Sequence, residues 1–156
     1  MKNIIVICGL IGTGKTTIAN YVSKKYNYKY IKDFDLFTEC QGDKMKIIND
    51  YILENQNQKI VIDVNYQNYE KEFEIVNNKN TFIMYLGFNQ SLTRNQLLKI
   101  FKNKTKEEIN YLLQQSKIYK EFCKNRELLY FDIDKNRDRI LLTLIRNFET
   151  LLLENK

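Results

Sequence analysis

The run Gly9-Leu10-Ile11-Gly12-Thr13-Gly14-Lys15-Thr16 fits the pattern G-x-x-x-x-G-K-S/T, and those residue types at that spacing suit the binding of a polyphosphate. Glycines let the backbone turn tightly and bring its N–H groups against phosphate oxygens. Lys15 supplies a point charge for the β- and γ-phosphates, and the Thr16 hydroxyl can ligate Mg²⁺. A helix starting here adds its positive N-terminal end. The chain has only five glycines, and three of them sit in this loop, which sets it apart from an ordinary glycine turn. Gly9, Gly12, Thr13, Gly14, Lys15, Thr16 and Thr17 are therefore the candidate nucleotide-binding residues.

Two carboxylate signals follow. Asp33-Phe34-Asp35 ends the alternating stretch Tyr28–Lys32. In open α/β sheets ligands bind beyond the carboxyl ends of strands, where such a pair meets Mg²⁺ and an acceptor hydroxyl. An aspartate pair in a surface turn or a helix cap gives the same string. Lys59-Ile60-Val61-Ile62-Asp63 is an apolar strand ending in Asp63, which is in reach of an Mg²⁺ shell or of the Thr16 hydroxyl. The alternative is a buried strand whose aspartate caps the next turn.

The elements that must position these groups are legible. Lys2–Cys8 is a continuous β-branched run, as a central parallel strand should be. Thr16–Tyr26 places Ile18, Ala19, Val22 and Tyr26 on one helical face. Phe37–Gly42 reads as loop, Asp43–Asn55 as a helix with Met45, Ile48, Tyr51 and Ile52 inward, and Asn68–Val76 as a short helix. Thr81–Leu86 is a fourth strand, after which Gly87-Phe88-Asn89 turns into a helix from Ser91. Thr105-Lys106-Glu107-Glu108 is a capping box opening a long packing helix. Leu128–Ile133 is a fifth strand, and a last helix carries Ile140, Leu141, Leu144, Ile145, Phe148 and Leu152. Strands alternating with helices predict an α/β, three-layer α/β/α domain over residues 1–156, with a five-stranded parallel sheet.

Composition removes several classes. The chain has no histidine, so His-based acid–base chemistry and most zinc sites are excluded, and any base must be a carboxylate, Lys, Tyr or Cys. Cys8, Cys40 and Cys123 are an odd number at no metal-like spacing, which fits a reduced, cytoplasmic protein. No stretch approaches the roughly 20 apolar residues of a membrane span. The apolar run behind Lys2 is short, ends in the phosphate loop and has no small-residue cleavage site, so it reads as a strand and not a secretory signal. A net charge of +6 fits attraction to a polyanion, but more simply a Lys-, Asn-, Ile- and Tyr-rich composition, since the lysines are spread throughout.

On these motifs the chain resembles the P-loop NTPase superfamily. The second-strand D-x-D is similar to that of small-molecule kinases such as the shikimate and gluconate kinases. A comparable aspartate occurs in the 5′-hydroxyl polynucleotide kinases, and Val64-Asn65-Tyr66 is loosely similar to their I-D-x-T-N. The resemblance implies that Asp33 holds Mg²⁺ through water and that Asp35 orients and deprotonates the acceptor hydroxyl. It makes Lys59–Asp63 a Walker B strand, with Asp63 in the Mg²⁺ shell. Arg94 is the candidate for reaching the transferred phosphate, although a surface salt bridge would also explain it. It is one of only five arginines in a lysine-rich chain, where a retained fork geometry is informative. Asn136 and Arg137 fall where such kinases pass beside adenine, or simply begin a helix. Lys99, Lys102, Lys104 and Lys106 occupy the lid position, about 95–108, where adenylate-kinase-like lids carry arginines.

The activity this implies is transfer of the γ-phosphoryl group of Mg·ATP to a small acceptor, most simply a nucleoside or nucleotide. A polynucleotide 5′-hydroxyl is the runner-up, with a single-stranded nucleic acid as partner. A nucleotide-dependent switch acting through a partner is the competing class. The chain shows no N/T-K-x-D guanine motif, which argues against a GTPase.

Overall fold

The computed structural model describes residues 2–10, 12–37, 43–65, 71, 74–88, 94–133, 143, 146, 149 and 150. The elements are β1 (Ile4–Gly9), α1 (Lys15–Tyr26), β2 (Lys29–Lys32), α2 (Asp33–Leu36), α3 (Lys44–Glu54), β3 (Ile60–Asp63), β4 (Thr81–Phe88), α4 (Arg94–Ile100), α5 (Lys106–Asn125) and β5 (Tyr130–Ile133). All strand pairs are parallel and the order is β2-β3-β1-β4-β5.

The central strand β1 is buried along its whole length, which is why its sequence is continuously apolar and does not alternate. Ile4, Ile5, Val6 and Ile7 face Ile60–Asp63 of β3 on one side and Thr81–Met84 of β4 on the other. α1 buries Ile18, Ala19 and Val22, and α3 buries Met45, Ile48 and Ile52, the faces that the 3.6-residue period marks out. α5 buries Ile109, Leu112, Ser116, Tyr119 and Cys123.

The caps follow the sequence. Asp43 accepts from the Met45 and Lys46 N–H groups at the start of α3. Thr105 and Glu108 form a reciprocal capping box at the start of α5. Of the C-terminal helix the structure describes Thr143, Arg146, Glu149 and Thr150, all helical. Glu149 pairs with Lys25 at 2.7 Å and receives the Tyr21 hydroxyl, tying that helix to α1.

Three boundaries differ from the sequence reading. β4 runs on through Gly87 and Phe88 instead of turning there, because Leu86, Gly87 and Phe88 pair with Phe131, Asp132 and Ile133 of β5. Buried Ser116 supports this end, receiving the Phe88 N–H at 2.8 Å and donating to the Phe88 carbonyl at 2.6 Å. β5 itself starts at Tyr130, after the loop past α5. Asp33 is the first residue of the short helix α2 and not the tip of a strand. The expected helix Asn68–Val76, the loop 38–42 and the turn 89–93 lie wholly or mostly outside the described residues.

Candidate active site

The phosphate loop hangs from the carboxyl end of β1 and is shaped by contacts with distant elements. Gly9 has φ +139°, and a Cβ there would lie 2.2 Å from the Leu86 carbonyl oxygen of β4. Only glycine allows this approach, and the next N–H, that of Leu10, donates to the same carbonyl at 3.0 Å. Gly12 has φ +78° and lies under the Phe101 ring, whose tip would be 2.2 Å from an added Cβ. Phe101 in turn stands edge-on to Phe88 at 5.7 Å between centroids. The Thr13 hydroxyl donates to the Leu10 carbonyl at 2.7 Å and closes the loop. Gly14 occupies the N-cap of α1 with a left-handed backbone and no side-chain cap, so the first N–H groups of α1 face the loop's mouth in the manner of an anion site.

Lys15 is 95% buried by its surroundings, with only 5% exposure, and its Nζ donates to the Gly9 carbonyl at 2.8 Å and the Leu10 carbonyl at 3.0 Å. The ammonium is thus held inside the loop by the carbonyls that a phosphate oxygen would compete with. Thr16 and Thr17 are exposed on the first turn of α1. The Thr16 hydroxyl donates to Asp63 Oδ2 at 2.7 Å, joining the phosphate loop to the end of β3.

Asp63 is fully buried. Its Oδ2 also receives the Tyr30 hydroxyl at 2.8 Å, while its Oδ1 is buried with no hydrogen-bond partner among the described residues. Burial, and then the bond to the Asp63 carboxylate, push the Tyr30 phenol up to about 12, so it acts as a donor. Tyr30 was not singled out by the sequence. It reads there as one more strand residue, and only the β2–β3 register reveals its reach.

The two aspartates of D-x-D are in different surroundings. Asp33 is fully buried; its Oδ1 receives the Phe34 N–H at 2.8 Å and its Oδ2 the Asn65 N–H at 2.8 Å. It fastens the start of α2 to the chain leaving β3. Asp35 is exposed in the first turn of α2. Between them Phe34 is 54% exposed, edge-on to Phe37 at 6.1 Å, and Lys44 Nζ lies 5.5 Å from the centre of the Phe37 ring.

The donor set can be tested against Mg²⁺. An unpartnered buried carboxylate oxygen and a neighbouring hydroxyl are hard oxygen ligands, and Mg²⁺ is usually held by one or two carboxylates plus substrate phosphates. Among the described residues no cluster of three or more His, Cys, Asp or Glu side chains offers a larger cage. Asp63 and Thr16 fit the ion.

Arg94 is the first residue of α4, and its side-chain placement, with Asn136 and Arg137, lies outside the described residues. The expected lid segment 95–108 consists of α4, a short connection through Phe101 and Lys104, and the start of α5. The Phe101 N–H donates to Leu97 O at 2.8 Å and the Lys104 N–H to Phe101 O at 3.3 Å, while Lys104 pairs with Glu108 at 3.4 Å. Among the described residues no helix is long and apolar enough to cross a membrane.

A phosphate loop between β1 and α1 of a 2-3-1-4-5 parallel sheet, joined through Thr16 to an aspartate at the end of β3, defines a P-loop NTPase fold of the kinase-like type. Solved structures agree over nearly the whole chain. One is the YorR protein from Bacillus subtilis in complex with phosphorylated GDP: TM-score 0.58, 22% identity, 94% of this chain and 95% of that one covered. Another is shikimate kinase from Bacteroides thetaiotaomicron: TM-score 0.57, 17% identity, 97% and 99% covered. A third is deoxyadenosine kinase from M. mycoides with the products dCMP and dCDP: TM-score 0.50, 18% identity, 98% and 100% covered. No family model matches the chain, and no curated relative does.

Proposed function

We propose that this protein is an ATP-dependent phosphotransferase that moves the γ-phosphoryl group of Mg·ATP to a hydroxyl or phosphate of a nucleoside or nucleotide. The observation that carries this reading is the Thr16–Asp63 hydrogen bond, which brings the phosphate loop and an otherwise half-satisfied buried carboxylate together at one point. The loop N–H groups and Lys15 cradle the β- and γ-phosphates. Lys15 exchanges its bonds to the Gly9 and Leu10 carbonyls for phosphate oxygens. Thr16 and Asp63 are the residues that would hold Mg²⁺, which when bound neutralises charge on the β- and γ-oxygens.

Asp35 is the exposed carboxylate at the site and takes the acceptor's proton; Asp33 works from behind, fixing the backbone of Phe34 and Asn65. This narrows the role given to Asp33 by resemblance. Arg94 remains the candidate for steadying the transferring charge, and Asn136 and Arg137 for the adenine side. The reaction needs mostly positioning and electrostatics, with little covalent work by the protein.

The surroundings of Asp35 support this choice of acceptor class. The exposed ring of Phe34, braced edge-on by Phe37, offers one aromatic face, which favours a nucleobase over a polyol. The same face would take the terminal base of a 5′-hydroxyl polynucleotide. The net charge of +6 keeps that second reading in view, and steep salt dependence of binding would mark it.

The test is ADP release from Mg·ATP with panels of nucleosides, nucleoside monophosphates, 5′-hydroxyl oligonucleotides and polyols. Release stimulated by one base-bearing class, and lost in Lys15→Ala and Asp35→Asn, supports the reading. ATP turnover indifferent to every acceptor, with Asp35→Asn unchanged, would replace it with a nucleotide switch.

A further inference from the structure

The second donor on Asp63 comes from the outermost strand of the sheet. In the β2–β3 register Tyr30 stands opposite Val61 and Lys32 opposite Asp63. Side chains alternate along a strand, so Tyr30 shares a face with Val61 and with Asp63 two residues further on. A diagonal neighbour of that kind is within reach of an aromatic side chain, and the Tyr30 hydroxyl spans the gap to Oδ2 at 2.8 Å.

The consequence lies in which oxygen is taken. The terminal torsion of an aspartate is broad and roughly two-fold, so an unrestrained carboxylate exchanges its two oxygens. Thr16 alone fixes it weakly, because the Thr16 hydroxyl is itself a prospective cation ligand and rotates to suit its partner. With Tyr30 and Thr16 both on Oδ2, one oxygen is pinned by two donors at the phosphate loop, while Oδ1 is buried without a partner among the described residues.

We propose that Tyr30 is a positioning residue for the divalent cation: its hydroxyl fixes the rotation of Asp63 and holds Oδ2 beside the Thr16 hydroxyl, where the cation's shell would form. The inference rests on the reading that Asp63 and Thr16 serve Mg²⁺. Partners that orient a ligating carboxylate typically contribute about 10–100-fold in metal affinity, and with Thr16 still donating the lower end applies here. The ring of Tyr30 is half-buried against the core, and Tyr30→Phe keeps that packing while removing only the hydroxyl.

The experiment titrates Mn²⁺ into the full chain saturated with ADP and follows free Mn²⁺ by electron paramagnetic resonance. Wild type, Tyr30→Phe and Asp63→Asn are compared, and ADP affinity in EDTA is measured by calorimetry. Tyr30→Phe should weaken Mn²⁺ about 10-fold with ADP affinity in EDTA held within about twofold, and Asp63→Asn should weaken it further. Unchanged Mn²⁺ affinity in Tyr30→Phe, with Asp63→Asn weakened, overturns the proposal and leaves the reading of Asp63 standing. Unchanged Mn²⁺ affinity in both variants overturns that reading, and the proposal with it.

Discussion

Asp63→Asn separates the two things this carboxylate does. In the nucleotide-free protein Oδ2 receives the Thr16 and Tyr30 hydroxyls at 2.7 and 2.8 Å, and the side chain is fully buried. An amide oxygen can accept the same two bonds. Bonds to a charged partner are stronger by about 1 kcal/mol each, so about 2 kcal/mol is lost. Against this, Oδ1 is buried without a partner among the described residues; the amide NH₂ that takes its place is unpaired too, but removing the buried charge relieves, net of that, about 1–3 kcal/mol of desolvation. The terms nearly cancel. At about 2–4 °C per kcal/mol for a chain of this size, the nucleotide-free variant should melt within about 5 °C of wild type. Adding Mg²⁺ to the ATP-bound variant should then raise its melting temperature no further than ATP with EDTA does. Phosphotransfer should fall at least about 100-fold, the scale of losing one preorganised electrostatic element. Scanning fluorimetry in buffer, in ATP with EDTA and in Mg·ATP measures each arm. A nucleotide-free melting temperature lower by more than about 10 °C would refute the reasoning, since the carboxylate would then be holding the fold. A wild-type response to Mg²⁺ would refute it equally.

The phosphate-loop glycines should differ in how they fail. Gly9→Ala meets the Leu86 backbone oxygen at 2.2 Å at φ +139°, and should lose more than about 3 kcal/mol or fail to fold, read by urea unfolding. Gly12→Ala meets the Phe101 ring tip at 2.2 Å, a side chain that can be cut back, so Phe101→Ala should relieve part of the damage with a coupling of about 0.5–3 kcal/mol. Additive effects of those two changes would count against Phe101 bearing on the loop. Alkaline pH should also destabilise the fold. Burial pushes Tyr28 up to about 12, and burial with the Asp63 bond pushes Tyr30 up to about 12, from an ordinary 10.0. The folded chain therefore holds these protons more tightly than the unfolded one, so their stabilisation is whole below pH 10.0 and is lost as pH climbs through about 12. Melting temperature should fall across that window in step with tyrosinate absorbance, and a flat profile there would contradict the burial of these phenols.

The sequence reveals what is local and repeated. A fully buried central strand has to be apolar on both faces, so Ile4–Cys8 and Ile60–Ile62 stand out as unbroken runs. Helix faces and caps are equally local, and Asp43 and the Thr105–Glu108 box sit where their patterns put them. Contacts between segments far apart are not legible. β4 extends past Leu86 because β5 and Ser116, some 28 residues on, satisfy Phe88. Phe101 over Gly12, and Tyr30 on Asp63, depend on register and on the packing of α4 and α5, which no spacing in the chain encodes. The glycine-rich turn between β1 and α1 was legible because it is a fixed string of adjacent residues, whereas the groups that shape it come from β4 and the connection before α5.

The D-x-D motif shows why a spacing does not fix a role until the element beneath it is known. On a continued strand, residues two apart share a face, and both carboxylates would point into one site. Here the chain switches to helix at Asp33, and at about 100° per residue two positions apart lie about 200° around the axis. Asp33 and Asp35 therefore face nearly opposite ways. One turns inward, is fully buried, and is held by the N–H groups of Phe34 and Asn65; the other is left exposed in the same first turn. A fully buried carboxylate held by two backbone N–H groups is out of a substrate's reach, and turning it toward one would leave those N–H groups unsatisfied. An exposed one carries no such obligation. On the proposed function the pair is a brace and a base, so Asp35→Asn should abolish acceptor-stimulated turnover with the fold intact, whereas Asp33→Asn should lower the melting temperature first. Loss of turnover in Asp33→Asn at wild-type stability would reverse that assignment.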